Sequence, residues 1–198
     1  MAYRNFDWLK IERDFGILPK YQALFGPVDS VKPSERLVEE LADTSDMALT
    51  TEKLLSEALV FPILQEIRLK NRDYVRLFSG ETLKADIKRG LNGECDFILT
   101  KSPQIALTSP IISLTEAKNG EVSDLDSLAQ TTAQMIGARV FNQKNNSHEI
   151  IHGACTSGRE WLFLRLEKNH ALIDTRRYSL QNLPELLGVL QYIIDFYE

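Results

Sequence analysis

The segment Ile112-Ser113-Leu114-Thr115-Glu116-Ala117-Lys118 constrains this chain more than any other. Apolar residues open it, and two opposite charges close it at alternate positions. Side chains alternate across a β-strand, so Glu116 and Lys118 project from one face. Asp96, twenty residues earlier, interrupts a second apolar run, Cys95-Asp96-Phe97-Ile98-Leu99-Thr100, long enough to pair beside the first. Two carboxylates on neighbouring strands can hold a magnesium ion, which takes oxygen ligands in octahedral geometry and keeps several waters. The Ala117 carbonyl can add a neutral oxygen. A lysine two residues after a ligand, on the same face, can orient a water or meet negative charge developing on a phosphate. A solvated, charged strand edge is the plainer account of a lone Glu-x-Lys. Here the acids interrupt or terminate apolar runs, and helical patterns bracket the strands, which favours a site.

A chain of 198 residues with 43% hydrophobic content suits one globular domain. It holds no run of roughly 18 apolar residues, so no membrane span is expected. Met1 to Lys10 carries Arg4, Asp7 and Lys10 and lacks the apolar core of a signal peptide. Cys95 and Cys155 both fall in predicted strands, which points to buried free thiols in a cytoplasmic protein. The net charge of -5 argues against a general nucleic-acid coat. It is compatible with local basic patches and with cations that offset carboxylates in a site.

Residues 1–50 read as a helical extension packing on a core formed by residues 51–198. Within the extension, Asn5 to Arg13 suggests a short helix, and Ser34 caps a second one running to Ala42. Residues 51–70 place Leu54, Val60, Ile63, Leu64 and Ile67 at helical spacing. Pro62 should kink that helix or restart it. Tyr74–Phe78 and Thr82–Ile87 predict two strands joined by a turn at Ser79-Gly80-Glu81, followed by the Asp96 and Glu116 strands. Asp124 to Phe141 predicts a helix with Leu125, Leu128, Met135, Ile136 and Val140 on its apolar face. A polar break over Asn145–Ser147 precedes strands at Glu149–Thr156, Trp161–Leu166 and Ala171–Thr175. An amphipathic helix from Leu183 to Tyr197 closes the chain. This order predicts an α/β fold with one central mixed sheet flanked by helices.

Further residues are candidates for the same site. Glu57 lies on the helical line of Val60, Leu64 and Ile67. There it would be an inward glutamate needing a partner or a metal, unless Pro62 resets the phase and leaves it exposed. Gln130 and Gln134 lie four apart on one helical face with Ala133, Gly137 and Phe141, either over the site or along a polar edge. Lys84, Lys88 and Arg89 form one basic patch and Arg176-Arg177 another; each is either a phosphate grip or solvated loop charge. His148, His152 and His170 lack ligand spacing. Ser157 has no histidine placed to activate it. There is no glycine-rich phosphate loop.

Together these residues resemble the PD-(D/E)XK nuclease superfamily. The motif stands as Gly93-Glu94-Cys95-Asp96 followed by Thr115-Glu116-Ala117-Lys118, with Cys95 where the family name has proline. The resemblance covers residues 51 to about 166 and implies a restriction-endonuclease-like α-β-β-β-α-β core. It implies magnesium-dependent hydrolysis of DNA, with manganese as a substitute metal. Asp96 and Glu116 would be ligands and Lys118 the activating base or electrostatic partner. The Ser56-Glu57 helix resembles the first core helix, which often carries an extra acid. Gln130, and less closely Gln134, resembles a glutamine on the second core helix. DNA is then the expected partner. The sequence allows a homodimer through the apolar side of the C-terminal helix or through a free sheet edge. The alternative is a catalytically silent module on the same fold that binds nucleic acid or protein. Net acidity motivates it, and the retained Lys118 counts against it.

Overall fold

The sequence's strand and helix periodicities sort into one eight-stranded sheet with helices on both faces. The structure is a computed structural model and describes residues 3–145 and 147–197, so part of the expected Asn145–Ser147 break lies outside the described residues. A 3-10 turn at Tyr3–Asn5 leads into α1 (Trp8–Phe15) and β1 (Leu18–Tyr21), and α2 (Glu35–Ala42) follows. Next come α3 (Glu52–Leu55), a π turn (Ser56–Val60) and α4 (Phe61–Lys70) as one nearly continuous helix. Then β2 (Arg76–Asp86), β3 (Leu91–Thr100) and β4 (Ile111–Ala117) precede α5 (Leu125–Gln143). The chain closes with β5 (Ile151–Thr156), β6 (Glu160–Glu167), β7 (His170–Ile173), β8 (Tyr178–Ser179) and α6 (Leu183–Asp195).

The strand order is β1-β7-β6-β5-β4-β3-β2, with β8 beside β6. Pairing is parallel between β4 and β5 and between β1 and β7, and antiparallel elsewhere, so the sheet is mixed and open. One face carries α5 and the N-terminal segment, with Ile98, Leu114 and Cys155 packed among Leu128, Ala133 and Met135. The other face carries α2, α4 and α6, with Phe97, Ile112 and Phe163 among Leu37, Ile63 and Leu190. Leu186, Leu187, Leu190, Ile193 and Ile194 of α6 are buried in that second core. The apolar side of the C-terminal helix, one of the two surfaces the sequence offered for a dimer, is therefore covered by the chain itself.

Two departures from the sequence reading bear on the site. First, Ser79-Gly80-Glu81 is no hairpin turn. It lies inside β2, where Gly80 takes a left-handed φ of 65°. The ladder pairs Ser79 with Phe97 and Glu81 with Cys95 but skips Gly80 and Asp96. The inward residues of β3 change sides there: Leu91 and Cys95 join the α5 core, while Phe97 and Leu99 join the opposite one. A glycine at positive φ lets the strand swivel without a Cβ clash, as in a bulge. Second, residues 3–50 supply a strand as well as helices. β1 pairs with β7 at the sheet edge, a position where Pro19 costs no ladder bond that a central strand would need.

α5 is buried nearly all round, with every residue from Ser127 to Ala138 buried, whereas the sequence predicted one apolar face and Leu125 upon it. Leu125 is exposed. The outer side of α5 is covered by the N-terminal segment: Tyr3 is 1% exposed and donates its hydroxyl to Leu83 O at 3.2 Å. On the inner side, Gly153 of β5 allows close approach. A Cβ there would collide with Met135 Sδ and stand 3.1 Å from Thr131 Cγ2.

Candidate active site

The site lies where β3, β4 and the first turns of α5 meet. Asp124 caps α5 by accepting from Ser127 N at 3.0 Å, which fixes the start of the helix over the end of β4. Gln130 and Gln134, one helical turn apart, then both reach Glu116 on β4. Gln130 Nε2 donates to Glu116 Oε1, and Gln134 Nε2 donates to Oε2 at 2.7 Å. Lys118 Nζ stands 2.8 Å from Glu116 Oε1 and 3.4 Å from Gln130 Oε1. Glu116 is 1% exposed, and these three donors are what make its burial tolerable. Lys118 extends the strand by donating its backbone N–H to Thr156 O at 2.8 Å, which keeps its side chain on the Glu116 face. Burial pulls the Lys118 ammonium down, but the charge and hydrogen bond of Glu116 outweigh it and hold the group above the ordinary lysine value.

Asp96 stands one step beyond the Phe97–Thr115 pair, opposite Glu116. Its Oδ2 accepts the Ala117 backbone N–H at 2.8 Å. No donor among the described residues reaches Oδ1. Burial, and next the charge of Glu116, lift the Asp96 carboxyl to about 7, against the pull of the Ala117 N–H and Lys118. Glu52 adds a smaller upward push. In a strand, the N–H and C=O of one residue leave by the same edge. The Ala117 carbonyl therefore faces the edge on which its N–H meets Asp96.

Asp96 and Ala117 line a cleft of about 410 Å³ together with Glu52, Ser56, Glu94 and the backbone bend at Gly80. A smaller hollow on the other side of Asp96 is lined by Tyr3, Arg4 and Gln130. The cleft is acidic, and among the described residues Lys53 is the one cation that lines it. Among the described residues no set of three or more His, Cys, Asp or Glu side chains is arranged as a metal cage.

The structure thus brings Asp96, Glu116, Ala117, Lys118, Gln130 and Gln134 together. Glu57 is set apart from them: it is exposed at the outer rim of the cleft, 3.8 Å from Lys53. The cause is the π turn, in which Phe61 N–H bonds back to Ser56 O just before Pro62. That turn inserts a residue into the helical count, so the phase read from Val60, Leu64 and Ile67 does not carry back to Glu57. Glu52 and Glu57 both line the cleft, but the acid of this helix whose charge acts on Asp96 is Glu52, four residues before Ser56 and on the same face. Its signal in the sequence was Thr51-Glu52, a capping residue followed by an acid, but the register that places it needed the π turn. Cys95 and Cys155 are buried free thiols. His152 is buried too, with Nδ1 2.8 Å from the Tyr197 hydroxyl. Arg176 and Arg177 are held by Glu185, Glu121 and Glu160.

Compared with known proteins, the chain matches no protein-family model and no curated protein. The described helices include none long and apolar enough to cross a membrane.

Proposed function

We propose that the protein is a metal-dependent phosphodiester hydrolase of the PD-(D/E)XK type, acting on DNA. The observation that carries this reading is the approach of Asp96 and Glu116 just past the Phe97–Thr115 pair, with Asp96 bonded to the Ala117 N–H and Lys118 ion-paired to Glu116 at the end of β4. The element order α4, β2, β3, β4, α5, β5, with β4 and β5 parallel, supports a restriction-endonuclease-like core.

The residues present suit a hard divalent cation such as magnesium, or manganese in its place. Asp96 has an oxygen without a donor and a carboxyl lifted to about 7, the mark of a site short of positive charge. Asp96, Glu116 and the Ala117 carbonyl would hold the ion, whose chemistry is to neutralise phosphate charge and acidify a water. Lys118 keeps a full positive charge beside Glu116 and can orient that water or meet charge on the phosphate. Gln130 and Gln134 fix the Glu116 carboxylate, so its direction is set before substrate arrives. Glu52, in the cleft that Asp96 and Ala117 line, offers a further oxygen.

The second reading, a catalytically silent module, draws on one observation: both oxygens of Glu116 already accept hydrogen bonds from the protein. The experiment separates the two. Calorimetric titration with magnesium and manganese, together with cleavage assays on duplex and single-stranded DNA, is applied to wild type, Glu116→Ala and the Asp96→Ala Glu116→Ala double variant. Metal binding and cleavage that vanish in folded variants support hydrolysis. Equal degradation by all three proteins would remove the site assignment, and metal-independent DNA or protein binding without cleavage would favour the silent module.

A further inference from the structure

The structure divides the basic residues into two kinds. Arg176 and Arg177 are answered by carboxylates, at 2.7 Å from Glu185 and 2.9 Å from Glu121. On the opposite face, where the tip of the β2–β3 hairpin meets α1 and the last turns of α5, three cations donate to backbone carbonyls instead. Arg89 Nη2 bonds Asp14 O at 2.8 Å, Arg139 Nη1 bonds Lys168 O at 2.6 Å, and Lys144 Nζ bonds Ala85 O at 2.6 Å. A carbonyl satisfies a donor but leaves the net charge in place. The Arg89 guanidinium also lies over the Phe15 ring at 4.2 Å, which holds it in position.

These cations line two neighbouring hollows. One of about 530 Å³ carries Lys10, Lys88 and Arg89. The other, of about 260 Å³, carries Arg89, Arg139 and Lys168, so Arg89 joins the two. Acids are present but outnumbered. Asp14, shared between Lys10 at 2.6 Å and Arg13 at 2.9 Å, lines the first hollow, and Glu149, whose charge acts on Arg139, lines the second, against the five cations Lys10, Lys88, Arg89, Arg139 and Lys168. A chain of net charge -5 thus keeps a contiguous positive surface at one place.

We propose that this surface is a contact for the sugar-phosphate backbone of the nucleic acid whose phosphodiester enters the Asp96 cleft. The proposal rests on the hydrolase reading for the identity of the polyanion. The hairpin carries both parts: Leu91 at its tip and Asp96 lie on one strand, roughly 17 Å apart at about 3.3 Å per residue. A duplex carries one phosphate charge per about 1.7 Å of axis, so a single helical segment can lie on both. A ligand whose charge repeats along a line fits two joined hollows better than a compact anion does.

The test measures anisotropy of a labelled duplex of about 30 base pairs, without divalent metal and across a salt series. Lys88→Glu Lys168→Glu changes exposed side chains, and Arg89→Ala provides a milder second variant. Arg176→Ala Arg177→Ala is the control, and circular dichroism checks folding. The charge reversal is expected to weaken binding at least tenfold and to lower the slope of log affinity against log salt by about 2, while the control binds as wild type. Equal binding by wild type and both patch variants overturns the proposal, as does capture of anionic vesicles with no DNA bound. Cleavage separates this from the parent reading. Patch-dependent binding without cleavage leaves the surface standing and removes the hydrolase, whereas Glu116-dependent cleavage indifferent to the patch does the reverse.

Discussion

Asp96 and Glu116 lie just past the Phe97–Thr115 pair of two antiparallel strands and repel each other there, yet only Glu116 is ion-paired to a cation, with Lys118 Nζ 2.8 Å away. Asp96 has a single backbone N–H and a carboxyl lifted to about 7. That asymmetry determines how the site responds to pH, metal and mutation.

Stability should carry opposing pH dependences from Asp96 and His152. The folded state holds the Asp96 proton up to about pH 7, whereas the unfolded chain releases it near 3.8, so this group lowers stability as pH rises through that window. Burial, and then Arg165, depress His152 to about 3, so it lowers stability as pH falls below 6.5. The slopes offset each other between about pH 4 and 6.5. Asp96→Asn should therefore raise the melting temperature at pH 8 and leave a curve that falls on acidification. An Asp96→Asn melting curve parallel to wild type from pH 4 to 8 would contradict this.

Metal binding should release a proton. Below about pH 7 the ion must displace the proton on Asp96, so magnesium affinity should rise up to tenfold per pH unit from pH 5.5 to 7 and level off above. Calorimetry in buffers of different ionisation enthalpy reads the proton count directly. Affinity independent of pH would mean that Asp96 is not a ligand.

Lys118→Met should be costly out of proportion to its exposure. Lys118 is 18% exposed, but its loss leaves Glu116 buried with neutral donors alone, a change of about 3 kcal/mol for a partly buried pair. It should also push the Asp96 carboxyl further up, since Lys118 pulls it down. Adding Glu116→Gln to Lys118→Met should recover most of the stability and none of the activity. Denaturant unfolding of the two variants checks the recovery.

Gly137→Ala should loosen the N-terminal segment. A Cβ there collides with the Tyr3 hydroxyl, which anchors the turn to Leu83 O. The expected cost is about 1–3 kcal/mol for overpacking. Tyr3→Phe alone should cost about 1 kcal/mol for the lost hydrogen bond. Because it removes the clashing atom, the double variant should be less destabilised than the sum. Strict additivity would show that the turn does not lie on Gly137.

The sequence by itself determined the strand that carries Glu116 and Lys118, because period-two alternation assigns both side chains to one face whatever packs upon it. It also determined the helix that carries Gln130 and Gln134, since a spacing of four stacks them in any α-helix, and the Ser34-capped start of α2. Tertiary structure decided the rest, because it depended on chain geometry that composition does not encode. Gly80 could be a turn or a bulge, and only pairing with β3 made it a bend that swings Asp96 towards the cleft. Glu57 could point inward or out, and with a π turn in its helix it is exposed, while the charge from that helix that acts on Asp96 is that of Glu52. The all-round burial of α5 came from Tyr3 and its neighbours, distant in sequence and close only after folding. Local patterns fix which side of an element a residue occupies, while long-range packing fixes what that side meets.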